Sequence, residues 1–317
     1  MGVLGPAIPV TGGTTSGCGP WGSRPGPFRL CHSGGMANDD SIRIPTVPLR
    51  DGGEIPQVGT GTLFAKGNEL ADGLAECIRA GYRLIDSAAQ YANEGAVGAA
   101  IKRSGVSREQ LMVTTKIAGN DQGRGYTRRG LTESLRRLAT DYVDLLLIHW
   151  PNPSRGLAVE TWAEMLELQA EGLVRHVGVS NFLPHQLEEL HTATGVWPVI
   201  DQIQLSPALA RTGLRAFLAE HDIVAEGWRP LGGAENPMGQ IVTAKIARRL
   251  GVDVSQVVLR WAVQQGAVVI PSSARPARWR SNADLFGFEL TERDMADLAT
   301  LDLGEQAAWD ANTHEEW

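Results

Sequence analysis

The chain has 317 residues, of which 43% are hydrophobic and 21% are charged, and its formal net charge is −7. This mildly acidic balance provides no general attraction to nucleic acid or to anionic lipid, and no apolar run reaches the length of a membrane span. We therefore expect neither a nucleic-acid partner nor a membrane partner.

The three cysteines, Cys18, Cys31 and Cys77, form no Cys-x-x-Cys pair and no His/Cys cluster with the spacing of a zinc site. We therefore expect no metal and no disulfide framework, which makes a reducing cytoplasm the expected location. Cys77 falls in the apolar pattern of a helix and is interpreted as a small core residue. A monomer is the expected state.

The first 35 residues are rich in Gly and Pro and contain no Asp or Glu. Such a segment buries too little apolar surface to offset the entropy of ordering, so residues 1–40 are predicted to be a disordered tail. Pro6 and Pro9 interrupt its only apolar stretch, which argues against a signal peptide. Met36 opens the run "MANDDSIRIP", and we hypothesise that translation starts there. Residues 41–317 are predicted to form a single domain.

The ordered pattern begins with "SIRIPTVPL" and "IPQVGTG", which predict a β-hairpin around the turn residues Asp51 and Gly52. Beyond it, short apolar runs alternate with amphipathic helical stretches. Counting the segment at 58–63, eight such runs predict strands, at 58–63, 83–88, 111–117, 142–150, 175–182, 199–205, 223–228 and 267–273.

Apolar residues at three- and four-residue steps predict helices between these strands, for example at 70–81, 127–141, 158–172 and 255–266. Three of these helices are expected to stop at glycine, at Gly81, Gly172 and Gly266. Strands that alternate with helices indicate a parallel sheet, and eight such units are typical of a (β/α)8 TIM barrel. The alternative is a doubly wound open sheet, whose Gly-x-Gly-x-x-Gly turn is incomplete here because "GTGTLF" lacks the third glycine.

Polar side chains close several predicted strands, and in a barrel these ends meet at one mouth. Asp86, Lys116 and His149 each end an apolar run, and Tyr91 follows Asp86 closely. Each has a structural explanation, as a helix cap, a surface lysine or a hydrogen-bonded core histidine. Their recurrence at strand ends favours a site, with Asp86 as the ionic partner that a buried lysine requires.

This set of residues suits proton donation to a carbonyl. Tyrosine is a poor acid at neutral pH, because its ordinary pKa is about 10, but a nearby ammonium favours the phenolate. We therefore expect Lys116, held by Asp86, to acidify Tyr91, while His149 orients the carbonyl. A reduction also needs hydride, which only a cofactor such as nicotinamide supplies.

From about Arg43 to Asp302 the sequence resembles the aldo-keto reductase superfamily, and within it the bacterial 2,5-diketogluconate reductase type. The matching stretches include "DSAAQYANEGAVGAAI", "TTKI", "YVDLLLIHWPNP", "EGLVRHVGVSNF" and "IDQIQLSP". The resemblance implies an NAD(P)H-dependent enzyme that reduces aldehydes, ketones or dicarbonyls to alcohols. It also implies a catalytic tetrad of Asp86, Tyr91, Lys116 and His149.

The resemblance assigns cofactor contacts along the same barrel mouth. Ser180, Asn181 and Gln202 match residues that bind the nicotinamide carboxamide, and Trp228 matches the ring that stacks on it. The remaining matches lie in the first strand, in the pyrophosphate loop and after the eighth strand: Thr62, Pro230, Leu231, Gly232, Ser272, Ser273, Arg278 and Asn282.

Three departures from the family pattern affect the cofactor and substrate. Ser272 stands where a lysine usually binds the 2′-phosphate, so NADP(H) is favoured and NAD(H) is the alternative. Arg229 replaces a small residue near the pyrophosphate. Leu63 and Ala118 replace frequent pocket aromatics, and Phe64, Trp150 and Trp162 are the candidates to fill the space.

Three other functions are considered. The first is a cofactor-sensing member of the same superfamily with little turnover. The second is an unrelated barrel such as a phosphosugar isomerase, for which Glu226 is the only strand-end glutamate. The third is a short-chain reductase, which requires Tyr-x-x-x-Lys, and Tyr91 and Tyr126 both lack that lysine. The final residues, with Trp309 and Trp317, either flank the substrate pocket or fray.

Overall fold

The structure is a computed structural model that describes Gly2 and residues 42–63, 65–233, 236–273 and 275–316. The predicted tail at 1–40, apart from Gly2, and the hypothetical start at Met36 lie outside these ranges and stay predictions. All elements below belong to the unit Asp40–Trp317. None of the helices in the described ranges is both long enough and apolar enough to traverse a bilayer.

The predicted hairpin consists of β1 (Thr46–Pro48) and β2 (Glu54–Pro56), which pair antiparallel with Val47 opposite Ile55. Gly52 in the connecting turn has φ 91°, a conformation that glycine adopts without strain. The prediction of a turn at Asp51 and Gly52 is therefore confirmed.

Within the described ranges, eight strands form one parallel sheet in sequential order, which confirms the predicted strand count and fold class. The sheet closes because Val58 bridges Val269 in parallel and the amide of Gly59 donates to Val269 O at 2.8 Å. This closure excludes the open doubly wound sheet. The strands are β3 (Thr60–Gly61), β4 (Leu84–Asp86), β5 (Met112–Ile117), β6 (Val143–Ile148), β7 (Val174–Ser180), β8 (Ile200–Gln204), β9 (Val224–Trp228) and β10 (Val268–Val269).

Helices surround the sheet, and the four that the periodicity predicts are present with ends shifted by a few residues. Gly81, Gly172 and Gly266 follow three of them with φ of 123°, 82° and 84°, as expected of glycines that terminate helices. The described helices are α1 (Gly67–Arg79), α2 (Glu94–Ser104), α3 (Tyr126–Leu138), α4 (Ala158–Ala170), α5 (Pro184–Thr194), α6 (Thr212–Glu220), α7 (Ile241–Leu250), α8 (Val254–Val263), α9 (Pro276–Ala283) and α10 (Glu292–Ala299).

Two apolar cores hold the barrel together. The larger one lies between helices and sheet, and it includes Cys77, which is 1% exposed as predicted for a core residue. The smaller one fills the barrel interior with Leu84, Leu145 and Ile200, and the hairpin residue Ile55 packs against it. The hairpin therefore covers the amino-terminal end of the strands and leaves the carboxyl end open for a site.

Candidate active site

Lys116 and Asp86 form a buried ion pair at the carboxyl end of the barrel. Lys116 lies in β5, is 1% exposed, and places its Nζ 2.7 and 2.8 Å from the two carboxylate oxygens of Asp86 in β4. Nζ also donates to Ser87 O at 3.0 Å. Burial opposes the ammonium charge, but Asp86 outweighs that effect and raises the pKa of Lys116 to about 12. The lysine is therefore a permanent cation.

Tyr91 lies in a short 3-10 turn after β4, and its hydroxyl is 3.5 Å from Lys116 Nζ. Burial raises the pKa of the Tyr91 phenol, and the charge of Lys116 opposes that rise without cancelling it. The expectation of an acidified phenol is thus only half right, because desolvation is the larger effect. The phenol keeps its proton at neutral pH, and the ammonium stands ready to stabilise a phenolate.

His149 follows β6 at the same mouth. Its ring meets that of Tyr91 edge to face with 5.7 Å between centroids. Asn181 Nδ2 donates to the His149 carbonyl oxygen at 3.1 Å, which ties the end of β6 to the end of β7. The Nδ1 atom of His149 lies 2.6 Å from Oε1 of Glu316, without the alignment of a hydrogen bond.

A second polar layer lies below the ion pair, inside the barrel. The amide nitrogen of Gln202 in β8 donates at 2.8 Å to Asp86 and at 2.8 Å to Glu226 in β9. Burial, and then the charge of Asp86, raise the pKa of Glu226 to about 7. Glu226 was not among the residues predicted for a reductase, although its alternation with Trp228 places both on one face of β9.

The residues matched to nicotinamide contacts form one hydrogen-bonded row. Ser180 Oγ donates to Gln202 O at 2.8 Å, and the Trp228 indole nitrogen donates to Asn181 Oδ1 at 2.8 Å. Asn181 adopts φ 65°, a left-handed conformation that asparagine tolerates, and this turns the chain at the end of β7. Thr62 Oγ1 donates to Asp86 O at 3.0 Å beside the row.

A cavity of about 640 Å³ opens over these groups, and many of the predicted site residues line it. Ser273 and Arg278 line a neighbouring cavity of about 290 Å³, which meets the first at Ser272. Asn282 is buried and lines neither cavity. The predicted residues on the larger cavity are Thr62, Asp86, Tyr91, His149, Ser180, Asn181, Gln202, Trp228, Pro230, Leu231, Gly232 and Ser272.

The aromatic wall of the larger cavity differs from the prediction in part. Trp150 lines it, but Trp162 is fully buried in the larger core and donates to Thr194 at 3.2 Å, so its assignment to the pocket was wrong. Phe64 lies outside the described residues. Trp309 and His314 supply further aromatic surface. Of the two predictions for the end of the chain, residues 308–316 therefore follow the one in which they flank the pocket. Trp317 lies outside the described residues.

Comparison with known proteins identifies the family. The profile of the Aldo/keto reductase family matches residues 57–235 and 240–302. The chain is 42% identical over 273 residues to 2,5-diketo-D-gluconic acid reductase B of Corynebacterium sp. (strain SHS752001), which covers 86% of the chain and 99% of that protein. It is 41% identical over 272 residues to methylglyoxal reductase DkgA of Escherichia coli (strain K12), with 86% and 96% covered.

Among solved structures, a point mutant of Gox0644 in complex with NADPH superposes with a TM-score of 0.81 at 36% identity. The match covers 86% of this chain and 99% of that one. Sequence and structure therefore agree that this chain belongs to the aldo/keto reductase family.

Proposed function

We propose that this protein is an NAD(P)H-dependent reductase that converts aldehydes, ketones or dicarbonyls to alcohols, with Tyr91 as the general acid. The observation that carries the proposal is the contact of 3.5 Å between the Tyr91 hydroxyl and Lys116 Nζ, at the floor of an open cavity. The names of the relatives, a diketogluconic acid reductase and a methylglyoxal reductase, support the same reaction class.

The residues divide the proton chemistry among them. Tyr91 holds the proton in the resting state, because burial raises the pKa of its phenol. When the proton leaves, the ammonium of Lys116 stabilises the phenolate, and Asp86 keeps that ammonium in place at 2.7 Å. His149, whose ring meets that of Tyr91 edge to face, orients the substrate carbonyl toward the phenol.

A nicotinamide cofactor supplies the hydride when bound, and the residues present fit it. Trp228 offers a flat face for stacking, and Ser180 and Asn181 offer polar groups at the carboxamide position. The amide nitrogen of Gln202 is used by Asp86 and Glu226, so its contact with the cofactor is assigned to its oxygen. Thr62, Pro230, Leu231 and Gly232 complete the proposed contacts at the nicotinamide and pyrophosphate end.

We propose NADP(H) as the preferred cofactor and NAD(H) as the weaker alternative. Ser272, Ser273 and the exposed Arg278 surround the neighbouring cavity, where a guanidinium suits a phosphate dianion. Asn282 is assigned to the adenine end. The NADPH complex of Gox0644 supports the preference, and the absence of a lysine at Ser272 limits it.

Tyr91→Phe tests the proposed reaction. We expect kcat for NADPH-dependent aldehyde reduction to fall by about a thousandfold or more, because the variant lacks the proton donor. Quenching of the intrinsic tryptophan fluorescence by NADPH should give an unchanged Kd, and the same titration with NADH should give weaker binding. Turnover close to wild type in Tyr91→Phe would refute the role of Tyr91.

The same assay separates the proposal from a cofactor-sensing module. A sensor binds NADPH tightly and shows negligible turnover of every carbonyl in a broad panel. The intact ion pair of Lys116 and Asp86 beside Tyr91 supports turnover instead.

A further inference from the structure

The segment from residue 308 to residue 316 forms one wall of the larger cavity. Trp309 packs against Trp228 with 5.8 Å between ring centroids, and His314 packs against Trp150 at 4.0 Å. Among the described residues, the indoles of Trp150, Trp228 and Trp309 therefore face the space above Tyr91. Such a wall suits a flat, apolar substrate body.

Glu316 ends this wall, and the protein fixes its position at four points. Its backbone amide donates to Asn152 Oδ1 at 2.9 Å, and its carbonyl oxygen accepts from Asn152 Nδ2 at 3.1 Å. Its carboxylate accepts from the amide of Gly119 at 3.2 Å through Oε2 and faces His149 Nδ1 at 2.6 Å through Oε1. The side chain is 8% exposed, so the carboxylate cannot turn away into solvent.

Among the described residues that line the cavity, Arg229 is the one lysine or arginine, and it adjoins the loop that is assigned to the cofactor. Asp86, a second carboxylate on the lining, is neutralised by Lys116. Arg155 donates to the carbonyl oxygen of Gly119 and does not line the cavity. Within the described ranges, His149 is the ion-pair partner found for Glu316.

Both protonation states of His149 lead to the same consequence. With a neutral ring, the carboxylate of Glu316 presents an uncompensated negative charge to the substrate side. With a protonated ring, Glu316 already pairs the imidazolium charge at 2.6 Å. A carboxylate on the substrate therefore meets either repulsion or a cation that is already paired, and burying it unpaired is unfavourable.

We propose that Glu316 is a specificity-determining residue that excludes carbonyl substrates bearing a carboxylate and favours neutral or cationic ones with a flat apolar body. This inference rests on the proposed function and narrows its substrate class. It assigns the discrimination to charge rather than to size, since the carboxylate lies in the cavity wall and the indoles set the shape.

Three aromatic aldehydes that differ at the para position test the proposal. These are 4-carboxybenzaldehyde, its methyl ester, and 4-(trimethylammonio)benzaldehyde, each reduced with saturating NADPH. The readout is the ratio of kcat/KM for the charged aldehyde to that for the ester. Relative to wild type, Glu316→Gln should raise the anionic ratio about tenfold and lower the cationic ratio, because one charge is removed. Comparing enzymes in this way cancels the intrinsic reactivities of the aldehydes.

Two control variants keep the test decisive. Glu316→Asp keeps the negative charge but shortens the side chain. It should therefore keep the wild-type ratios of kcat/KM even if the shorter side chain packs less tightly. Glu315→Gln removes a neighbouring carboxylate that accepts from the amide of Ser154, and it should also keep them. Ratios unchanged in Glu316→Gln, or changed equally in Glu315→Gln, would overturn the inference. If the wild type reduced none of the three aldehydes, the proposed function would be overturned instead.

Discussion

At the scale of single residues, one ammonium group, that of Lys116, lies close to two buried carboxylates and to the phenol of Tyr91. Lys116 contacts Asp86 directly, and the amide of Gln202 connects Asp86 to Glu226. A single ammonium cannot offset two buried carboxylates, so the one without direct contact holds its proton to a higher pH. That is Glu226, whose pKa burial and Asp86 raise to about 7.

Glu226→Gln is expected to make stability less sensitive to pH. The folded-state pKa of Glu226 lies above its ordinary value of 4.5. Its contribution to stability is therefore fully present below about pH 4.5 and is lost as the pH rises through about 7. Thermal melts should be recorded from about pH 5 to about pH 8. As the pH rises, the free energy of unfolding of the variant should increase relative to that of wild type, by about 1–3 kcal/mol near pH 8.

Glu220→Gln is the matched control for this experiment, because it makes the same Glu-to-Gln replacement at an exposed position at the end of α6. The amide oxygen that Glu226→Gln introduces can still accept from Gln202, so the hydrogen bond at 2.8 Å need not be lost. A difference between Glu226→Gln and wild type that stays constant across the pH range would contradict the assignment.

At the scale of elements, the sequence was most informative where one pattern repeats. The alternation of apolar runs and amphipathic helices predicts all eight barrel strands, and strand ends predict where Asp86, Lys116 and His149 meet. Strand lengths were less accurate. The run predicted at 267–273 yields only Val268–Val269 as a strand, and it contains Pro271, which has no amide hydrogen for the ladder.

The wall formed by residues 308–316 could not be derived from local pattern. Glu316 reaches its place through Asn152 and Gly119, which are 164 and 197 residues away in the chain. Such contacts leave no periodic signal, and the acidic, polar composition of this segment equally fits a frayed end. The misassignment of Trp162 has the same origin, since a tryptophan in a helix pattern does not reveal which neighbour it faces.

Gly119→Ala tests whether the wall formed by residues 308–316 is held in place by the close approach of its backbone to Gly119. A Cβ atom at Gly119 would lie 1.9 Å from Glu316 O and 2.2 Å from Asn152 Nδ2, so the segment must move away. We expect faster amide hydrogen exchange in residues 309–316 and a KM for neutral aldehydes raised by about tenfold. The Kd for NADPH, measured by fluorescence, should change by less than about twofold, because Trp228 stays in β9.

Gly213→Ala is the control for Gly119→Ala, because a Cβ atom there has nothing within 4 Å. It should leave both the hydrogen exchange of residues 309–316 and the KM as in wild type. Equal exchange protection in Gly119→Ala and Gly213→Ala would show that the segment is not held through Gly119.

At the scale of the whole molecule, the two ends of the barrel have different tasks. The carboxyl end carries the ion pair, the phenol and the cavity. The amino end is covered by the hairpin, whose Leu49 and Ile55 pack on the interior residues Leu84 and Leu145. The hairpin and the catalytic residues lie at opposite ends of the same strands. The hairpin can therefore stabilise the fold without contacting the catalytic residues.

Ile55→Ala is expected to separate these tasks. Ile55 is 0% exposed, and its truncation leaves a cavity beneath the barrel interior that costs about 2–5 kcal/mol, or a Tm lower by about 5–15 °C. Well below that Tm, kcat/KM should stay within about twofold of wild type, because the residues around Tyr91 keep their strands. Ile241→Ala, at a position 73% exposed, should change neither quantity. A large loss of kcat/KM with an unchanged Tm would mean that the hairpin acts on the active site, and the division between the two ends would have to be abandoned.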